Sequence, residues 1–169
     1  MTVLQAIASL IDAEWEPSIS GRWNDVPKPK IVLEKEVTKE MLRTQDVLRV
    51  EDGGDTEKTP LGFGWTHEAL DATVTISIRT LDRRIGGMPQ DGRIRMFGER
   101  NGTDDAERYG GLAGELERIC DANRKGFAEF DRVRLSPVRD ESQLAPANGY
   151  RADLDIGLVI DAQNINPEP

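Results

Sequence analysis

The amino-acid sequence predicts an α+β fold, a mainly antiparallel sheet with an N-terminal helix and a second helix packed on one face. Two segments place apolar residues at helical spacing, one at the start of the chain and one following Thr103. Two others, Ala72–Arg79 and Tyr150–Ile160, alternate apolar and polar residues as half-exposed strands do. The order that results is helix, three strands, a long loop, helix and two strands. With 169 residues the chain suits one domain, residues 1–169, around one core.

Each element has its own local reason. Thr2 suits an N-cap, with Gln5 three residues later as capping-box partner, and Val3, Leu4, Ile7, Leu10, Ile11 and Trp15 form the stripe that follows. Pro17 ends it, and the Pro- and Gly-containing segment to Pro29 reads as a connection anchored by Trp23. Lys30–Val37 and Asp46–Val50 read as strands, and the residues between them, Thr38–Thr44, as either a turn or a short helix. Glu51–His67 is rich in Gly and Pro and reads as a long loop ending in Phe63 and Trp65, before the strand Ala72–Arg79. Leu81–Gly102 has the same loop character, with Arg93–Phe97 as a short strand within it. Thr103 then caps a helix whose apolar face is Tyr109, Leu112, Ala113, Leu116, Ile119 and Cys120, stopped by Gly126. Strands Asp131–Val138 and Tyr150–Ile160 follow, and the polar tail from about residue 161 to 169 is expected to fray.

Composition removes several functional classes. The 22 Lys and Arg against 31 Asp and Glu give a net charge of −9, which disfavours general affinity for nucleic acid or anionic membrane. One cysteine forms no internal disulfide, and one histidine with one cysteine does not make the usual zinc cage. No stretch has the length of a membrane span or the pattern of a signal peptide, so the expectation is a protein that stays soluble where it is made. Lysine is scarce, 6 beside 16 arginines, and with 16 Asp this resembles proteins of salt-adapted cells; an ordinary acidic mesophilic protein is the other reading.

Catalytic motifs are sparse. There is no phosphate-binding loop and no Gly-x-Ser-x-Gly, and Glu34-Lys35-Glu36 has the wrong order for a metal-dependent nuclease. Asp153 and Asp155 share a strand face at a spacing a hard cation uses, but paired carboxylates in an acidic chain are more often surface charge. His67 is the one imidazole available as a general base, and Cys120 lies on an apolar helix stripe where a buried thiol is expected. No residue is assigned a catalytic, cofactor-binding or metal-binding role.

Two stretches stand out instead as contact surfaces. Residues 79–100 form a basic island within an acidic chain, with Arg83, Arg84, Arg93, Arg95 and Arg100 as candidates to meet carboxylates of a neighbouring subunit. Phe63 and Trp65 are the aromatic candidates.

With this element order, the segments Ala72–Thr80, Leu112–Ile119 and Tyr150–Leu158 give the chain a pattern that resembles tail-terminator and related tail-completion proteins of long-tailed viruses. The resemblance spans nearly the whole chain and rests on pattern rather than on an invariant motif. It implies a small α+β subunit, without catalysis or cofactor, that forms a ring, usually a hexamer, at the head-proximal end of the tail tube. The tail tube protein lies on one side, a neck or connector protein on the other, and viral DNA passes through the lumen without sequence-specific binding. No membrane is involved. Localisation would be the virion, after synthesis in the host cytoplasm, and a halophilic archaeal host fits the composition. The loop at residues 81–102 is longer than the simple form of that fold needs. A head-side neck protein of the same virus type, and an acidic α+β enzyme or ligand-binding module from a salt-adapted cell, are the alternative readings.

Overall fold

A computed structural model describes residues 2–16, 28–53, 57–60, 68–85, 88–98, 110–126 and 132–161. Helix α1 (Val3–Glu14) starts at Thr2, whose side chain accepts from Gln5 N while the Gln5 side chain accepts from Thr2 N, a reciprocal cap. Strand β1 (Lys30–Leu33) is followed by the short helix α2 (Lys39–Leu42), so Thr38–Thr44 takes the helical option, capped by the Thr38 hydroxyl accepting from Met41 N. Strands β2 (Val47–Asp52), β3 (Glu57–Pro60) and β4 (Glu68–Leu81) come next. A small hairpin of β5 (Arg83–Ile85) and β6 (Met88–Gln90) leads into helix α3 (Gly92–Phe97). Helix α4 (Gly111–Ala122), β7 (Arg132–Leu135), β8 (Arg139–Asp140), one 3-10 turn (Ser142–Leu144) and β9 (Gly149–Asp161) complete the described chain.

The class is α+β, but the sheet is mixed rather than mainly antiparallel, because β1 runs parallel to β2. The residues from Lys30 to Val50 explain this: α2 lies between β1 and β2 and returns the chain to the same end of the sheet, which a tight turn does not do. The strand order is β1-β2-β4-β9-β7, with β3 added to β4 and β8 to β9. Its spine is the long antiparallel pair β4 and β9, in register from Ala69 opposite Asp161 to Leu81 opposite Gly149.

Strand alternation sends Leu48, Val50, Val74, Ile76, Ile78, Leu154, Ile156 and Leu158 to one face, where α1, α3 and α4 cover them with Ile7, Ile11, Met96, Phe97, Leu112, Leu116 and Ile119. The opposite face carries a smaller apolar cluster of Val32, Leu42, Val47 and Leu81 under α2. Helices α1 and α4 are tied by buried Glu115, which accepts from Arg118 and from Glu16 N (2.7 Å), while Arg118 Nη2 donates to Glu14 O at 2.6 Å.

Within the expected loop at residues 81–102, the described residues include the β5–β6 hairpin and α3. Glycine there reads as a loop signal, yet Gly98, with φ +75°, and Gly111 at the start of α4, with φ +60°, permit a close approach between α3 and α4: a Cβ on Gly111 would clash with Arg95 O. Arg93–Phe97 is helical rather than extended, because Asp91 accepts from Arg93 N at the start and Met96 and Phe97 reach the core from successive positions of one short helix. The other expected loop, Glu51–His67, contains β3, which has no apolar alternation and forms by pairing with the first residues of β4. The expected cap at Thr103 lies outside the described residues, as do Trp23 and the tail from residue 162; the described part of the second helix begins after Gly110.

Candidate functional site: the charged face of the sheet

The face of the sheet opposite α1, α3 and α4 carries the polar half of each alternating strand, and beyond α2 it is a lattice of charges. Register fixes three rows across β2, β4 and β9: Val47, Arg79 and Arg151; Arg49, Ser77 and Asp153, the last also opposite Arg139 of β8; and Glu51, Thr75 and Asp155. Arg151 holds Asp153 through two bonds of 2.9 Å, Nε to Oδ1 and Nη2 to Oδ2. Arg139 Nη1 donates to Asp155 Oδ2 at 2.9 Å and its Nε reaches Glu141 at 3.4 Å, while the Thr75 hydroxyl donates to Asp155 Oδ1 at 3.0 Å. Arg49 pairs with Glu51 and donates to Glu34 O. Hydrogen bonding to these carboxylates holds the guanidinium groups of Arg139 and Arg151 above the ordinary arginine value.

Arg79 differs from its neighbours. Its one acceptor among the described residues is the buried Ser77 hydroxyl, 3.3 Å from Nε. Burial, then the charges of Arg151 and Arg49, hold its guanidinium below the ordinary arginine value. Sequence reading missed this row, although it placed Arg79 and Arg151 on the polar side of their strands. Periodicity shows which way a side chain points; it does not show which strand lies alongside.

The Asp153/Asp155 pair is engaged by arginines, and among the described residues no three His, Cys, Asp or Glu side chains gather as a metal site. A cleft of about 220 Å³ between α4 and the segment after β7 has Cys120, Arg124, Pro137 and Leu154 in its lining. Burial pushes the Cys120 thiol up to about 12, so it is protonated and not nucleophilic at neutral pH.

The expected contact residues fall in different places. Arg95 is interior, 4% exposed, with Nε on Asp46 Oδ2 (3.1 Å) and Nη2 on Leu81 O (2.6 Å). Arg83 Nη1 also binds Asp46, at 2.8 Å, and Asp46 is itself buried. These two guanidinium groups share one carboxylate of their own chain, a pairing hidden from sequence because Asp46 lies 37 residues before Arg83 and 49 before Arg95. Arg93 is exposed on α3, and the backbone of Arg84 pairs with Pro89 in the hairpin. Phe63, Trp65, His67 and Arg100 lie outside the described residues. Among the described residues no helix is long and apolar enough to cross a membrane.

Comparison of the chain with models of known protein families gives no match, and comparison with curated proteins gives no significant match.

Proposed function

We propose that this chain is a structural subunit of a virion, forming a ring, with six copies the expected number, at the head-proximal end of the tail tube of a long-tailed virus. The ring ends tail polymerisation and offers a joining surface to a neck or connector protein, and DNA passes through a lumen whose acidic character keeps it from sticking. The observation that carries this reading is the free outer edge of β1. Among the described residues β1 pairs only with β2, leaving one side of its backbone without a ladder, and Leu33 at its end is 38% exposed. The opposite side of the sheet ends in β7, which among the described residues pairs only with β9. Two unlike edges on one subunit suit the head-to-tail contacts from which a closed ring is made. The position of α1 at the start and of α4 before the last strands supports the proposal.

Light scattering at molar salt tests the proposal, with six copies of the 18.8 kDa chain expected in one particle, beside imaging of virions for a ring at the head-tail joint. A single-chain mass at every concentration overturns it. Lys30 N and Glu34 N donate toward β2, so by ladder alternation the Leu33 N–H points away from it. Leu33→Pro therefore removes an edge donor without breaking the β1–β2 ladder, and is expected to yield folded single chains.

A further inference from the structure

Arg79 and Arg151 stand directly opposite each other on β4 and β9, and Arg49 is diagonal to Arg79 on β2. Like charges directly opposite across antiparallel strands are unfavourable. Elsewhere in the structure such charge is neutralised: among the described side chains, every arginine except Arg79 and the exposed Arg93 pairs with a carboxylate of a described residue. Arg79 is half-buried, over the fully buried Ser77. Beside it, Arg49 Nε is buried with no hydrogen-bond partner. The cluster thus holds one donor, Arg49 Nε, that has lost water without gaining an acceptor, beside the half-buried Arg79 guanidinium, which has no carboxylate partner among the described residues.

We propose that the cluster of Arg79 and Arg151, with Arg49 diagonal to Arg79, is a binding seat for a small free oxyanion, a phosphate or carboxylate group, with Arg79 as its principal donor. A guanidinium fork matches two oxygens of such a group, and Arg151 opposite adds positive potential while its own hydrogen bonds remain on Asp153. The surrounding carboxylates, Glu51, Asp153 and Asp155, are each held by Arg49, Arg151 or Arg139, and they limit the seat to a compact anion by repelling extended polyanions. Burial and the two neighbouring cations already disfavour the charged guanidinium of Arg79, and an anion at this point relieves that penalty.

Inorganic phosphate is the test ligand, titrated into the full chain against chloride at constant ionic strength, with binding followed by calorimetry and by the NMR signal of Arg79 Nε–H. Saturable binding of one phosphate per chain is expected, with a shift of that signal, weakened at least tenfold in Arg79→Gln and unchanged in Arg124→Gln, whose guanidinium is exposed and paired with Asp121. The NMR readout on the unaltered chain keeps the test independent of whether the variant folds. Absence of saturable binding, equal binding in Arg79→Gln, or an Arg79-dependent self-association that phosphate does not reverse overturns the proposal. The last result would show that the acceptor is a carboxylate of a second copy.

Discussion

Asp46→Ala exposes how much of this fold rests on one buried carboxylate. The Asp46 side chain is 1% exposed and accepts three bonds, from Thr80 Oγ1 (2.5 Å), Arg83 Nη1 (2.8 Å) and Arg95 Nε (3.1 Å). Arg83 is near enough to the surface to find water after the change, at 12% exposed, whereas Arg95 at 4% is not, and its Nη1 already lacks a partner. The alanine variant therefore buries an uncompensated guanidinium, at a cost of about 3–5 kcal/mol. With a urea dependence of ~2 kcal/mol per molar, the unfolding midpoint should fall by about 1.5–2.5 M. Equilibrium urea unfolding followed by tryptophan fluorescence and by circular dichroism measures this. Replacing both ions with apolar residues, Asp46→Leu with Arg95→Met, is expected to be less damaging than Asp46→Ala, because no charge is then stranded. A loss below about 1 kcal/mol in Asp46→Ala, the range of an exposed pair, would refute the reasoning.

The raised thiol of Cys120, moved from its ordinary 9.0 to about 12 chiefly by burial, favours the protonated form in the folded state. Its contribution is complete below pH 9 and is lost as pH climbs toward 12, at about 1.4 kcal/mol per pH unit, because the unfolded chain releases that proton first. Stability measured from pH 8 to 10.5 should thus fall more steeply for the natural chain than for Cys120→Ala, and parallel curves would contradict the assignment. Gly111→Ala combines a φ of +60° with a Cβ 2.3 Å from Arg95 O, so it should lose at least about 1–3 kcal/mol and separate α3 from α4. A melting curve like that of the natural chain would show that the two helices part without cost.

The sequence was informative wherever a pattern is local. The capping box of α1 needs only Thr2 and Gln5, and the alternation of β9 appears in consecutive residues, so both elements lie close to their expected bounds. The loop readings at residues 51–67 and 81–102 missed the elements that the described residues form there, for a shared reason. Glycine density signals irregular chain, but Gly98 and Gly111 serve to bring α3 against α4, and β3 forms only because the long strand β4 offers it an edge. Contact residues were the least legible. Arg83 and Arg95 looked like free surface charge until the fold placed Asp46 beneath them.

From the order of its residues alone, the chain determines its α+β class, the faces of its principal strands and helices, and an acidic balance that disfavours binding to polyanions. Tertiary structure decided the rest: that β1 joins parallel to β2, that Asp46 gathers two arginines, and that Arg79 faces Arg151 with no carboxylate between them. The division has one physical cause. Helical and strand periodicity act over a few neighbouring residues, whereas a charge is satisfied or left wanting by whichever strand packs alongside, and that neighbour can be many residues away along the chain.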